Sequence, residues 1–185
     1  MDYKKFVPNE VYRSVFDIDF KKLYEDGKRI ILTDVDNTLI SYDEVGPSEQ
    51  LLMLHQELTN MGFKIYLISN NNILRLEKFS EKFINEGFIA SARKPLKRGF
   101  KRAIKLINRP AEEIIVIGDQ IMTDVYGAKR SGLDVVLVKP IKKSTEKWYT
   151  RFNRYWENKI VKKIKKVNID IYNKIINLKE GNDND

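Results

Sequence analysis

The sequence predicts an α/β fold, a doubly wound three-layer structure in which a parallel sheet lies between two layers of helices. Short runs rich in isoleucine and valine recur along the first 140 residues, and they are apolar throughout, as is typical of strands buried on both faces of a parallel sheet. Segments with the apolar spacing of helices lie between these runs. Strand and helix therefore alternate about five times, which is the pattern of this fold class.

The individual elements follow from this alternation. After a short N-terminal segment that ends at Gly27, the predicted strands are 30–34, 64–69, 88–91, 113–119 and 134–139. The predicted helices, which stop close to a glycine or a proline, are 48–61, 72–86, 96–108 and 121–131. Because ligands bind at the carboxyl ends of the strands in such a sheet, polar residues at those ends are the candidates for function.

Composition limits the kind of protein and the chemistry available to it. With 42% hydrophobic and 32% charged residues, the chain of 185 residues is typical of a soluble globular protein. No apolar run approaches the roughly 18 residues of a membrane span, and the start "MDYKKFVPNE" lacks the apolar part of a secretory signal, so we expect a cytoplasmic protein. The absence of cysteine excludes disulfides, thiolate metal sites and a cysteine nucleophile. The single histidine, His55, lies in a predicted helix and is interpreted as structural.

Polar residues follow the predicted strands and converge on one edge of the sheet. They are Asp34 and Asp36 after the first strand, Ser69 and Asn70 after the second, Lys94 after the third, and Asp119 and Asp124 after the fourth. Carboxylates this close raise each other's pKa unless a cation offsets them, and a cluster of oxygen ligands suits Mg²⁺. A lysine beside such an ion is placed to hold an anionic substrate, and Ser69 with the amides that follow it offers further donors to a phosphate. These parts fit phosphoryl transfer.

The same residues carry a family resemblance. In order, "DVDNT", "SNN", "KP" and "GDQIMTD" resemble the four motifs of the haloacid dehalogenase (HAD) superfamily of phosphatases, over about residues 30 to 140. The resemblance implies that Asp34 attacks phosphorus to form an aspartyl-phosphate. It implies that Asp36 protonates the leaving alcohol and then deprotonates the hydrolytic water.

The resemblance also implies a ligand set. Mg²⁺ would be bound by the Asp34 carboxylate, the Asp36 backbone carbonyl and Asp119, while Asp124 supports the metal's waters or orients Lys94. Ser69 and Lys94 would hold the transferring phosphoryl oxygens, and Asn70 is a further phosphate-binding candidate. Thr38 would either close the turn or support the site.

A narrower resemblance is to the YqeG-type branch of this superfamily, which includes phosphatidylglycerophosphate phosphatases. It is carried by "DVDNTL", "SNNN", "ARKP", "GDQIMTDVYGAKRSG" and "VLVKPI". It implies hydrolysis of phosphatidylglycerophosphate at the cytoplasmic face of the membrane. The chain departs from the pattern at Thr33, where leucine is commoner, and in its long basic C-terminal segment.

The spacing of the motifs leaves no room for a cap domain. Only "ISYDEVGPSE" separates the first strand from its helix, and 24 residues separate Ser69 from Lys94. An open site favours a substrate whose bulk stays outside, such as a phosphorylated lipid, a protein or a nucleic-acid end, and a second subunit could supply the cover. The asparagines at 70–72 could contact hydroxyls beside the phosphate or cap the next helix.

The C-terminal segment carries most of the net charge of +8, because residues 141–185 hold 12 basic and 6 acidic residues. Its apolar residues recur every three or four positions from 145 to 178 and predict one long amphipathic helix. They are Trp148, Phe152, Trp156, Ile160, Ile164, Val167, Ile171, Ile175 and Leu178, interleaved with Lys159, Lys162, Lys163 and Lys166. We therefore predict a phosphatase domain over 1–140 and a basic helical tail over 141–185.

Several alternatives stay open at this level. The tail could bind an anionic membrane surface peripherally, pack on the first domain, or join two copies of the chain. Nucleic-acid binding is not favoured, because no motif resembles one that contacts bases. The enzyme could instead be a soluble phosphatase of a small metabolite or nucleotide, or the chain could be a binding module that acts through its tail.

Overall fold

A six-stranded parallel sheet organises the chain. The computed structural model describes residues 2–142 and 148–180. The strands are β1 (Glu10–Tyr12), β2 (Ile30–Thr33), β3 (Lys64–Ile68), β4 (Phe88–Ile89), β5 (Ile114–Gly118) and β6 (Asp134–Val138). They pair in the order β1-β6-β5-β2-β3-β4, with every pair parallel. The predicted α/β fold with a parallel sheet is confirmed.

Helices connect the strands and cover the sheet. They are α1 (Phe20–Glu25), α2 (Glu49–Asn60), α3 (Ile73–Ser80), α4 (Lys97–Ile107), α5 (Tyr126–Arg130), α6 (Trp148–Ile164) and α7 (Ile169–Glu180). Short 3-10 turns cover Tyr3–Phe6, Val15–Asp17 and Ala111–Glu113, and a π turn covers Ile121–Val125. Every strand and helical segment predicted over the first 140 residues is present, with ends that shift by a few residues.

The apolar core lies on both faces of the sheet because successive residues of a strand point to opposite sides. In β2, Ile30 and Leu32 pack into one buried cluster, and Ile31 packs into the other. All three side chains are at most 2% exposed. The continuous apolar runs in the sequence therefore reflect strands that contact helices on both faces.

Strand β1 was not predicted. It has three residues, and only Val11 is buried, so neither an apolar run nor an alternation marks it. The strand exists because it pairs with β6 at the edge of the sheet. Asn9 fixes its start, since its side chain accepts a hydrogen bond from the backbone N–H of Val135 at 2.8 Å and donates to Asp134 at 2.8 Å.

Two helices differ from their predicted extent. Helix α3 ends at Ser80 instead of continuing to residue 86, because Glu86 leaves the helix and its N–H bonds to the carbonyl of Ile65 in β3. The predicted helix over 121–131 begins instead as the π turn. There the N–H groups of Asp124 and Val125 both bond to the carbonyl of Gln120, which widens the turn beside the end of β5.

The C-terminal segment forms two helices, so the prediction of one long helix was wrong. The chain turns after Ile164, and the Asn168 side chain accepts from the N–H of Ile171 at 3.0 Å, which starts α7. Of the apolar residues from which the helix was predicted, the side chains of Trp148 and Phe152 lie outside the described residues.

The apolar stripe of these helices packs on the rest of the protein. Ile160, Ile164, Ile171 and Ile175 are each at most 7% exposed and belong to the same buried cluster as Phe6 and strands β2 and β5. Lys174 forms an ion pair with Glu10 of β1 at 2.9 Å. Of the alternatives considered for the stripe, packing on the first domain is the one observed. Among the described helices, none is both long enough and apolar enough to cross a membrane.

Candidate active site

The carboxyl ends of β2, β3 and β5 and the segment after β4 bring the predicted site residues together. Asp34 directly follows β2, and its N–H still pairs with the carbonyl of Ile117 in β5 at 2.9 Å. The residues whose side chains meet at this edge are all buried, with at most 7% of any residue exposed. They are Asp34, Asp36, Thr38, Ser69, Lys94, Asp119 and Asp124.

Three carboxylates form the centre of the site. Asp34, Asp119 and Asp124 each place an oxygen within 4.8 Å of the other two. The Lys94 ammonium lies between two of them, 2.9 Å from Asp34 Oδ1 and 2.6 Å from Asp124 Oδ1, and it donates to the carbonyl of Ile68 at 3.1 Å. Lys94 is therefore a fixed cation, held by two carboxylates and one carbonyl.

The electrostatics of this centre follow from burial and charge. Burial raises the pKa of the Asp34 carboxyl well above its usual range, Lys94 opposes the shift, and the carboxylates of Asp124, Asp119 and Asp36 add to it. Burial alone lowers the pKa of the Lys94 ammonium, but Asp124 and Asp34 outweigh burial and raise it. Three carboxyl groups thus face one ammonium at a buried edge of the sheet, which is an arrangement that a further cation stabilises.

Asp36 is separated from this group although it stands two residues from Asp34. Its Oδ1 accepts from Arg75 Nε at 3.1 Å and from Arg75 Nη2 at 3.0 Å, and its Oδ2 accepts from Asn71 Nδ2 at 3.2 Å. The two aspartates of the "DVDNT" motif therefore have different partners. One faces the acidic centre, and the other faces α3.

The backbone between them makes a tight turn. Asn37 has a φ of 65°, and its N–H bonds to the carbonyl of Ile40 at 2.6 Å. Asparagine adopts this left-handed conformation more readily than most residues. The turn places the Thr38 hydroxyl 3.4 Å from Asp119 Oδ1, so Thr38 links the first and fourth motifs.

Asp124 is oriented by the π turn that carries it. Its Oδ2 accepts from the N–H of Gln120 at 3.1 Å and from the Thr123 hydroxyl at 3.3 Å, which leaves Oδ1 for Lys94. A side chain at Gly118 would meet Asp124, since an added Cβ would stand 2.5 Å from the Cβ of that residue. The glycine of "GDQ" is thus required by close packing.

The segment after β3 positions Lys94 and also caps helix α3. The Ser69 hydroxyl accepts from the N–H of Asn71 at 3.0 Å. The side chain of Asn70 accepts from the Lys94 N–H at 2.6 Å and donates to the Lys94 carbonyl at 3.1 Å, so it positions the lysine. Asn72 caps α3 by accepting from the N–H of Arg75 at 3.0 Å. Helix capping by one of these asparagines is therefore confirmed, and the contacts of Ser69 and Asn70 with phosphate stay predictions.

Arg75 is the residue at this edge that the sequence analysis missed. It sits in the first turn of α3, where the partial positive charge of the helix end disfavours a cation. An arginine in the first turn of a helix was the available signal, because that position favours a cation only when an anion lies nearby. Here that anion is Asp36.

His55 lies away from this centre. Its Nε2 is 2.7 Å from the carbonyl of Ile84, and its ring packs edge-on against Phe83. These contacts agree with the structural role predicted for it.

Comparisons with known proteins place this chain in a family. Residues 9–132 match the haloacid dehalogenase-like hydrolase family. The chain is 38% identical over 163 residues to the probable phosphatase YqeG of Bacillus subtilis (strain 168), across 88% of this chain and 94% of that protein. It is 32% identical over 112 residues to the glyceraldehyde 3-phosphate phosphatase of Pyrococcus abyssi, across 56% of this chain and 46% of that enzyme.

A solved structure shares the fold. A hydrolase from Streptococcus pneumoniae TIGR4 superposes with a TM-score of 0.51 at 17% sequence identity, over 62% of this chain and 95% of that chain. The likeness agrees with the observed α/β fold. The family match and the similarity to YqeG over nearly the whole length show that the chain belongs to the haloacid dehalogenase superfamily of phosphatases, in its YqeG-type branch.

Proposed function

We propose that this phosphatase uses Mg²⁺ and an aspartyl-phosphate at Asp34, and that its substrate is phosphatidylglycerophosphate, which it converts to phosphatidylglycerol. The observation that carries the mechanism is the different surroundings of two neighbouring carboxylates. Asp34 contacts Lys94 beside Asp119 and Asp124, whereas Asp36 contacts Arg75 and Asn71.

The acidic centre fits a divalent cation. Among the described residues, three buried carboxyl groups face a single ammonium here, so when all three are ionised two negative charges remain to be balanced. Oxygen ligands of this kind suit Mg²⁺. Asp34 and Asp119 would hold the ion with their carboxylates and Asp36 with its backbone carbonyl, while Asp124 keeps Lys94 in place. Bound there, the ion would neutralise charge that develops on the phosphoryl oxygens.

The first chemical step transfers the phosphoryl group to the protein. A carboxylate oxygen of Asp34 attacks phosphorus, the bond between phosphorus and the ester oxygen breaks, and the departing oxygen takes a proton from the Asp36 carboxyl. Lys94 and Ser69 stabilise the transferring oxygens. The alcohol leaves, and Asp36 is left as a carboxylate.

The second step restores the enzyme. Water attacks the phosphorus of the aspartyl-phosphate and gives a proton to Asp36, and the bond between phosphorus and Asp34 breaks. Inorganic phosphate is released and both carboxyl groups return to their starting forms. One residue can serve both steps, because the proton moves in opposite directions in the two halves of the reaction.

The lipid substrate is supported by the openness of the site and by the exposed basic face of the C-terminal helices. No domain is inserted between β2 and α2 or between β3 and α4, which are stretches that the structure describes throughout. Lys162, Lys163 and Lys166 are exposed, whereas Ile160 and Ile164 of α6 are buried. Contact with an anionic membrane surface would therefore be mainly electrostatic, with the exposed Trp156 and Val167 among the apolar residues available to it. We place the enzyme peripherally on the cytoplasmic face of the membrane.

A second candidate function is hydrolysis of a small phosphorylated metabolite. It is favoured by the 32% identity to a protein named glyceraldehyde 3-phosphate phosphatase. That similarity covers 46% of the relative's length and 56% of this chain.

The test compares phosphate release from the two kinds of substrate. Purified full-length enzyme is given phosphatidylglycerophosphate in vesicles or glyceraldehyde 3-phosphate in solution, with Mg²⁺ or with EDTA, beside an Asp34→Asn control. We expect at least a tenfold higher kcat/KM for the lipid, loss of activity in EDTA, and co-flotation with anionic vesicles that high salt abolishes. A higher kcat/KM for glyceraldehyde 3-phosphate would support the second candidate and contradict the first.

A further inference from the structure

We infer that Arg75 is a specificity-determining residue that binds a second anionic group on the substrate, carried by the alcohol that leaves. The inference rests on the proposed function, since it requires Asp36 to face the leaving group. It assigns the site to phosphomonoesters whose alcohol bears a phosphodiester or a carboxylate a few bonds from the ester oxygen.

The guanidinium of Arg75 is held in place by the backbone as well as by Asp36. Nη1 donates to the carbonyl of Glu44 at 2.5 Å, and Nη2 donates to the carbonyl of Ser41 at 3.3 Å. Both carbonyls belong to the segment that follows the "DVDNT" motif. The side chain is 16% exposed, so the cation is fixed at the border between the site and solvent.

The hydrogen bonds of Arg75 leave a donor that could bind another anion. A guanidinium has five N–H donors. Four of them have acceptors: the N–H of Nε, one N–H of Nη1 and both N–H groups of Nη2. One N–H of Nη1 therefore has no acceptor among the described residues, and the Asp36 contact is made to a single carboxylate oxygen.

Distance places this cation within reach of the leaving group. An ester oxygen that accepts a proton from Asp36 lies about 2.7 Å from that carboxyl group. Arg75 Nη2 lies 3.0 Å from Asp36 Oδ1. When the ester oxygen bonds to Asp36 Oδ1, Arg75 Nη2 is within about 6 Å of it, a distance that a charged oxygen four to six bonds further along the alcohol can span.

The charges of the site explain why this cation serves the alcohol. Lys94 already lies beside Asp34, where the phosphoryl group is transferred. Asn71 already orients the Asp36 carboxylate through Oδ2. Arginine binds carboxylates and phosphates through a planar fork of donors, so it suits an anion that arrives with the substrate.

The competing explanation is structural: Arg75 could serve only to join α3 to the segment at 41–44. Removal of a purely structural residue would weaken all ligands alike, whereas removal of a recognition residue would weaken only those with the second anion. Ligands in matched pairs therefore separate the two explanations.

The experiment uses full-length enzyme in Mg²⁺ buffer and measures the inhibition constant of each ligand against hydrolysis of p-nitrophenyl phosphate. An inhibition constant can be measured whether or not the enzyme hydrolyses the ligand. One pair is 3-phosphoglycerate and glycerol 3-phosphate, which differ by a carboxylate. The other is deacylated phosphatidylglycerophosphate and glycerol 3-phosphate, which differ by a phosphodiester. We expect the wild-type enzyme to bind the member with the second anion about tenfold or more tightly in at least one pair. The pair that responds identifies the anion.

Arg75→Gln should remove this preference, and Arg75→Lys should retain part of it. The control is Lys78→Gln, which changes an exposed cation one turn along the same helix and should leave the preference intact. Equal weakening of both members of each pair by Arg75→Gln, or no preference in the wild-type enzyme, would overturn the inference. A preference for 3-phosphoglycerate that depends on Arg75, in an enzyme that does not hydrolyse the lipid, would uphold the inference and contradict the lipid substrate.

Discussion

The carboxyl edge of the sheet and the C-terminal helices are both buried, but different forces hold them. At the edge, the Lys94 ammonium forms ion pairs with the carboxylates of Asp34 and Asp124. In the helices, Ile164 and Ile175 belong to the apolar cluster that also contains Phe6. The edge should therefore respond most to the loss of a charge and the helices most to the loss of apolar volume, with the buried Glu157 as the charged exception in α6.

The largest effect is expected at Lys94. Replacing it by methionine leaves the carboxylates of Asp34 and Asp124 buried without their cation. We expect a loss of about 3–5 kcal/mol in the free energy of unfolding of the metal-free protein. Phosphate release should fall by at least about a hundredfold. Denaturant titration and steady-state kinetics measure the two quantities.

The matched control is Lys97→Met, an exposed lysine three residues further along. It should change the free energy of unfolding by less than about 0.5 kcal/mol. Equal effects at both positions would mean that the ion pairs of Lys94 do not contribute to the free energy of unfolding.

The second effect tests the packing of the C-terminal helices. Ile164 is fully buried, so Ile164→Ala should cost about 2–5 kcal/mol of the free energy of unfolding. Val167, which is 40% exposed, provides the comparison, and its change to alanine should cost under about 1 kcal/mol. Unchanged thermal unfolding of Ile164→Ala would contradict this account of the packing. It would instead mean that residues 1–140 are stable without the helices, as the predicted division at residue 140 implies.

The third effect concerns a contact that joins the two regions. Glu157 of α6 is 3% exposed, and its Oε1 accepts from the N–H of Met122 in the π turn at 3.2 Å. Glu157→Ala should cost about 1–3 kcal/mol in stability. Because the same turn carries Asp124, it should also weaken the thermal shift produced by Mg²⁺, whereas Glu157→Gln should retain more of both. An unchanged Mg²⁺ shift in the alanine variant would mean that the helices do not support the site.

The smallest effect is a dependence of stability on pH. The pKa of Asp34 in the folded metal-free protein is raised above its unfolded value near 4, so the folded state binds more protons between those two values. Stability should therefore fall as pH rises through this window, and Asp34→Asn should remove that part of the slope and stabilise the metal-free protein by about 1 kcal/mol at neutral pH.

Asp43 should make the stability depend on pH in the opposite direction. The hydrogen bond from Lys142 lowers the pKa of its carboxyl to about 2, so its contribution to stability is present above the unfolded pKa and is lost as pH falls towards 2. Thermal unfolding of the Asp34→Asn and Asp43→Asn variants from pH 2 to pH 8 separates the two contributions. Slopes of the same sign would contradict the assignment for Asp34.

The sequence predicts the central fold and the acidic centre well because both depend on local chemistry. A strand buried on both faces must be apolar throughout, as in β2, and the aspartates at 34 and 36 stand out because they directly follow such a run. Strand β1 was missed because three residues carry no period, and its pairing with β6 depends on contacts 125 residues away in sequence.

The differences at the C-terminal segment and at Arg75 also arise from contacts with residues that are distant in the sequence. The apolar stripe of the C-terminal segment predicts that one face is covered, but a period cannot specify whether sheet, lipid or another subunit covers it. The position of Arg75 in the first turn of α3 indicates a nearby anion, but the fold is needed to show that this anion is Asp36, at 3.0 Å. The roles of the predicted site residues in catalysis stay predictions until they are measured.

The most direct test of the central claim is to look for the phosphoryl group on Asp34. Enzyme turning over a phosphomonoester with Mg²⁺ is quenched in acid, digested and analysed by mass spectrometry. We predict that the peptide containing Asp34 carries one added phosphoryl group, which is absent without substrate and absent in the Asp34→Asn variant. A phosphoryl group on another residue, or Asp34→Asn enzyme that still releases phosphate at the wild-type rate, would contradict the account.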